Sequence, residues 1–194
     1  MKKLETKREI EKKSKRNQLI IGIILVGLMI LSTGGYAIMN NEGNSGSSGS
    51  VEYKGVKFIR DGIYWKFILQ NQEFATEYNA QELENITVPI KTKLTDYNEK
   101  VLYFVTESGE PNNEIYRNVY PFILKQNGAC LENSECKNDL PTKSCSNENI
   151  IIIKEPLNNE SEGISQDRNC VFIRAYYNNQ TKFADAFLFK LLNV

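Results

Sequence analysis

Three hydrophobic rhythms follow one another along the chain. Residues 19–39, LIIGIILVGLMILSTGGYAIM, run for about twenty positions without a charged side chain. At about 1.5 Å per residue such a helix covers roughly 30 Å, the hydrocarbon thickness of a bilayer, so residues 18–39 are predicted to span a membrane. Residues 40–50, NNEGNSGSSGS, contain no apolar side chain and read as a flexible Gly/Ser linker about 20 Å long on average.

From Val51 the pattern switches to period two. Tyr53, Val56, Phe58, Tyr64, Trp65, Phe67, Phe74 and Tyr78 are distributed over an alternating stretch interrupted at Asp61-Gly62 and at residues 70–73. This predicts a three-stranded antiparallel meander, with the aromatics filling its core face rather than forming a binding platform. Asn79 followed by Glu82 has the spacing of a capping box on a short helix. Residues 100–106, KVLYFVT, form a continuous apolar run expected of a strand covered on both faces. Ile115, Val119, Phe122 and Ile123 then recur at helical spacing up to Asn127-Gly128, with Pro121 expected to kink or split that helix. Further strands are predicted over 150–154, 163–166 and 170–177. The closing stretch 182–192, KFADAFLFKLL, is apolar nearly all round and predicts a helix packed on more than one side. The fold class is therefore α+β: an N-terminal transmembrane helix, a flexible linker, and one antiparallel-sheet domain with two main helices packed on it.

Charge distribution gives this arrangement a direction. Of the 24 Lys and Arg and 24 Asp and Glu, residues 1–17 hold eight of the former and three of the latter, leaving a +5 tail and a −5 remainder. Basic residues flanking a span resist translocation, which places residues 1–17 in the cytoplasm and residues 51–194 outside, at the cell membrane. A cleaved signal peptide is the alternative, with Gly35 and Ala37 small enough for a cleavage site. The long charged leader and the apolar run continuing to Met39 favour an uncleaved anchor. The acidic outer domain has no electrostatic affinity for phosphate backbones, so nucleic acid is not an expected partner. The expected partners are the lipid bilayer and another envelope protein or surface polymer.

The composition restricts the chemistry. The chain has no His, which removes His-based triads and bases and most zinc-hydrolase sites, and it has no phosphate-binding glycine loop. No cofactor, catalytic or metal site is assigned. An envelope hydrolase or transferase built on carboxylates remains the alternative, with Glu107, Glu110 and Asp185 as its candidates. Asp185 in its apolar helix is more simply explained by the helix N-terminus or by pairing with Arg174. Cys130, Cys136, Cys145 and Cys170 all follow the span, where thiols oxidise. If the strands 150–154, 163–166 and 171–177 run up, down and up, the residues entering the first and third meet at one end. That favours Cys145–Cys170 and leaves Cys130–Cys136. A C-x-x-C redox centre and a four-thiolate zinc site both want closer spacings, so a thiol-disulfide protein is a weaker reading. Sequons at Asn85, Asn159 and Asn179 permit N-glycosylation, although in a chain with 22 Asn some arise by chance.

Five segments carry a resemblance: residues 53–58 (YKGVKF), 82–86 (ELENI), 130–145 with Leu140-Pro141, Asn169-Cys170, and 185–188 (DAFL). Over most of residues 53–192 the chain resembles an uncharacterised family of small single-span, extracytoplasmic membrane proteins of the small-genome archaeal lineages. The resemblance implies a prokaryotic cell-surface setting and no particular activity. The function expected from the sequence is a membrane-anchored, disulfide-braced binding or structural domain.

Overall fold

The computed structural model describes Ile20 and residues 49–194, apart from 108, 133, 135, 137, 138, 158 and 159. Apart from Ile20, the predicted tail, span and most of the linker lie outside the described residues. Among the described residues no helix is long and apolar enough to cross a membrane. Residues Gly49–Val194 form one unit.

The period-two stretch folds as four antiparallel strands, not three: β1 (Ser50–Tyr53), β2 (Val56–Asp61), β3 (Tyr64–Leu69) and β4 (Gln72–Thr76), in that spatial order. The additional turn is Lys54-Gly55. Both residues have positive φ, 49° and 81°, and they join paired Tyr53 and Val56 through a two-residue loop. Gln70-Asn71 does the same between β3 and β4, with φ of 50° and 65°. Positive φ at both central residues matches the right-handed twist of the flanking strands, which is why two-residue hairpins use it. Phe58, Phe67 and Phe74 point to one face and are almost fully buried.

A second sheet has the order β10-β11-β9-β5-β6. Its members are β5 (Val101–Thr106), β6 (Lys125–Gly128), β9 (Asn149–Lys154), β10 (Gly163–Asp167) and β11 (Cys170–Arg174). A short pair, β7 (Cys130–Leu131) and β8 (Thr142–Lys143), lies between β6 and β9 in the chain. Only the β10–β11 pairing is antiparallel; β11, β9, β5 and β6 run parallel. The α+β class, an antiparallel sheet and two α-helices are thus present, and a largely parallel sheet stands beside them. The continuous apolar runs are its signature, because parallel strands are covered on both faces. Leu102, Phe104, Ile151, Ile153, Val171 and Ile173 face the main core, while Val105, Ile150, Ile152 and Cys170 face a second cluster.

The two helices are α1 (Glu110–Val119) and α2 (Gln180–Leu192). Pro121 ends α1 outright instead of kinking it, and residues 125–128, predicted as its last turn, become β6. A proline has no backbone N–H to continue the helical ladder and its ring crowds the preceding turn, so the helix stops at Tyr120, which itself keeps helical angles of φ −55° and ψ −32°. Helix α2 is apolar all round because both sheets contribute to the core that surrounds it. Phe189 lies 5.7 Å from the Phe58 ring and 5.6 Å from that of Phe67, while α2 also contacts β11. The Asn79–Glu82 box forms, with the Asn79 N–H donating to Glu82 Oε2 at 2.8 Å and the Gln81 and Glu82 N–H groups donating to Asn79 Oδ1. It opens hydrogen-bonded turns rather than a regular helix.

Disulfides join Cys145 to Cys170 and Cys130 to Cys136, the pairs preferred from the sequence. The meander behind that preference has a different strand order, since β11 and not β10 neighbours β9. Its conclusion survives because β9 and β11 are adjacent and parallel, with Ile150 opposite Cys170, so their entries meet at one end. The Cys145–Cys170 link closes a separation of 25 residues and sits against the second core cluster; the other closes six. Replacing Cys145 and Cys170 by Ala should lower stability by about 3 kcal/mol, against roughly 2 kcal/mol for the Cys130/Cys136 double variant. Urea unfolding of the two variants checks this, and a larger loss from the short link would contradict the ranking.

Candidate functional site

The sheet order creates one position that other open parallel sheets use for ligands. From β5 the chain crosses through α1 to β6 on one side, then returns past β5 to β9 on the other. The connections leaving the neighbouring strands β5 and β9 therefore diverge, and a crevice opens outside their carboxyl ends. A cavity of about 590 Å³ lies there. Thr106 and Glu107 end β5 on its wall, Lys154 ends β9, Gln126 comes from β6, and Asn112 comes from the first turn of α1.

Its polar lining is under-used by the protein itself. Glu107 and Lys154 form no ion pair among the described residues. The side-chain oxygens of Asn112 and Gln126 are buried and have no hydrogen-bond partner there. A buried amide without a partner costs on the order of 1–3 kcal/mol, so two flanking one cavity are a departure that packing does not explain. Together they offer hydrogen bonds, one negative charge and one positive charge. Neither amide was singled out from the sequence. Fourteen positions apart in ordinary polar contexts, they are brought together only by the return of the chain through α1 to β6.

The carboxylates considered from the sequence do not assemble. Glu107 lines this cavity, Glu110 is exposed on the first turn of α1, and Asp185 is wholly buried in α2. Three further cavities, of about 790, 430 and 310 Å³, likewise contain no two carboxylates. Among the described residues no cluster of His, Cys, Asp and Glu could hold a metal ion. Of the sequons, Asn85 is exposed, Asn159 lies outside the described residues, and Asn179 donates its side-chain N–H to both oxygens of Glu162 at 3.0 and 3.1 Å.

Asp185 has a structural task instead. Its Oδ2 accepts the Tyr78 N–H at 3.0 Å, while Arg174, its expected partner, pairs with Glu160 at 3.4 Å. Next to it Glu114 accepts the Glu77 N–H at 3.1 Å and is ion-paired with Arg117. Burial, and then the Glu114 charge, push the Asp185 carboxyl well above the usual carboxylate range, with the Tyr78 N–H pulling the other way. None of the four cavities is lined by Asp185 or Glu114, so the pair has no route to a substrate.

Comparison with family models, with curated proteins and with solved structures gives no match to the chain.

A group whose pKa is raised by folding stabilises the native state fully below its unfolded value and loses that contribution as pH rises through the folded value. For Asp185 the loss begins above about pH 4. Asp185→Asn retains an acceptor for Tyr78 and supplies an N–H toward Glu114 without a charge. Urea midpoints measured from pH 4 to pH 8 should show the wild type losing stability relative to this variant as pH increases. Parallel curves would show that the Asp185 carboxyl is not raised.

Proposed function

We propose that this chain is a membrane-anchored, disulfide-braced binding domain held outside the cytoplasm, and that it takes a small zwitterionic group of an envelope component into the cavity between the ends of β5 and β9. The cavity carries the reading: Glu107 and Lys154 bring opposite charges, unpaired among the described residues, to a lining that also includes Asn112 and Gln126, whose side-chain oxygens have no partner there. Glu107 suits an ammonium group and Lys154 a carboxylate, while Asn112 and Gln126 suit the amide or hydroxyl groups between them. A short peptide is the simplest ligand with that set. The volume lies within the range of small-molecule sites.

The outward orientation is supported by the basic tail, the uncharged run over residues 18–39 and the two disulfides, because thiols persist unpaired in a reducing cytoplasm. The likeness to small single-span archaeal proteins would place the domain on an archaeal cell surface. A carboxylate hydrolase gains no support from this geometry, because no described cavity joins two acids.

Thermal-shift titration of the full chain with L-alanyl-L-alanine and L-alanyl-L-alanyl-L-alanine should raise the melting temperature, while the doubly blocked alanine N-acetyl methylamide should not. Glu107→Gln and Lys154→Met should each weaken peptide binding by about tenfold or more, with the unliganded melting temperature unchanged. Equal binding of the blocked compound would refute the zwitterion assignment. Independently, protease added to intact cells should digest residues 51–194; their survival in cells with an intact membrane would reverse the topology.

A further inference from the structure

A second cavity, of about 790 Å³, lies away from the carboxyl ends of the parallel strands, and the charges that line it are of one sign. Its floor is apolar: Leu69, Phe74, Ile90, Leu94, Phe122 and Leu191 supply it. Phe74 and Phe122 stack there with rings parallel to within 3° and centroids 6.3 Å apart. Three lysines, Lys91, Lys93 and Lys190, stand at its rim, and no Asp or Glu lines it. All three are exposed and form no ion pair among the described residues. Asp96, on the adjoining 3₁₀ turn Leu94–Tyr97, uses a carboxylate oxygen to accept the Lys93 N–H at 2.8 Å. The last turn of α2 does not cancel this positive rim, because the Phe189 and Lys190 carbonyls accept the N–H groups of Val194 and Asn193.

We propose that this cavity binds a long-chain carboxylate, its alkyl tail on the Phe74–Phe122 floor and its anionic head among Lys91, Lys93 and Lys190. Charge complementarity selects this occupant. Three ammonium groups at one mouth, none in an ion pair among the described residues, favour a single anionic head, and the apolar side chains inside that mouth favour a hydrocarbon tail. A neutral lipid leaves the lysines unused, and a compact anion such as phosphate leaves the floor wet. The charges separate this cavity from the first, which is lined by one acid, Glu107, and one base, Lys154, whereas this one is lined by three lysines and no acid.

Photolabelling of the full chain tests the assignment without dependence on the first site. A diazirine-bearing palmitate at sub-micellar concentration should label peptides containing Leu69 and Phe74, Ile90 to Leu94, and Leu191. Palmitate should compete, and methyl palmitate, of the same tail and no charge, should compete about tenfold or more weakly. The triple variant Lys91→Glu, Lys93→Glu, Lys190→Glu should lose at least about tenfold of the labelling, and the corresponding triple Met variant should lose most of it. All three positions are exposed, so both variants should retain the wild-type melting temperature. Labelling spread over other surfaces, equal competition by the methyl ester, or undiminished labelling of the Glu variant would overturn the proposal. Labelling by a diazirine phosphatidylglycerol in vesicles but not by the fatty acid would assign the lysines to a bilayer surface and overturn it as well. Failure here leaves alanyl-peptide binding at Glu107 and Lys154 untouched, so the two readings fail separately.

Discussion

The open edge of β4 is the constraint to which the rest of the domain answers. A strand at a sheet edge leaves backbone groups without partners, and burying such an edge is costly unless something pairs them. Here α1 and α2 supply side chains in place of a fifth strand. Asn118 donates to the Ala75 carbonyl at 2.8 Å and accepts the Ala75 N–H at 2.9 Å, reproducing both halves of a strand pairing. Glu114 takes the Glu77 N–H and Asp185 takes the Tyr78 N–H. Arg117 adds a second donor to the Ala75 carbonyl and lies over the Tyr64 ring at 4.1 Å. These groups fix the first sheet to both helices by polar contacts whose geometry permits one register, while the phenylalanine core beneath would tolerate many.

Two buried acids are a large penalty for this arrangement, and the raised pKa of Asp185 offsets it. Two carboxylates out of water, with one arginine paired to Glu114, leave one negative charge without an ion-pair partner among the described residues. Raising the Asp185 pKa neutralises that charge, so the pair holds two backbone donors while carrying a single negative charge opposite Arg117. Charged pairs on the surface do nothing comparable. Lys66 bridges Asp61 at 2.7 Å in the open, where water weakens any such contact.

Patterning along the chain reveals faces and not neighbours, and this divides what could be read from what could not. The apolar runs around Phe104 and Ile151 announced strands covered on both sides, and the apolar circumference around Phe187 announced an enclosed helix, because both depend on local composition. The order of the second sheet depends on which runs pair across gaps of tens of residues, to which period and propensity are blind. The turn at Lys54-Gly55 had a weak local signal in its glycine, hidden by an alternation that continues through it. Pro121 signals a break in the helix, but not that the chain beyond it leaves the helix altogether and forms β6. Asp185 stood out as an acid in an apolar helix, yet its partners come from residues 78 and 114. Arg174, nearer in sequence, is directed to Glu160 by the β10–β11 hairpin. The carboxyl-end cavity was least visible of all, since its amides become informative only when their lack of partners is known.

The edge clamp and the carboxyl-end cavity share helix α1, and this connects stability to binding. Asn112, on the cavity wall, lies two residues before Glu114 and six before Asn118, which with Arg117 are the α1 residues that hold the β4 edge. In a ten-residue helix those positions move as one body. Glu107 and Lys154 instead sit at the ends of strands whose interiors are packed on both faces, so their placement is set by the sheet alone. Loosening the β4 clamp therefore displaces Asn112, though not Gln126 on β6, relative to the charges, and hydrogen-bond complementarity falls off over shifts of about an ångström. Helix α1 thus carries both the contacts that hold β4 and one wall residue of a cavity that neither Glu114 nor Asp185 lines.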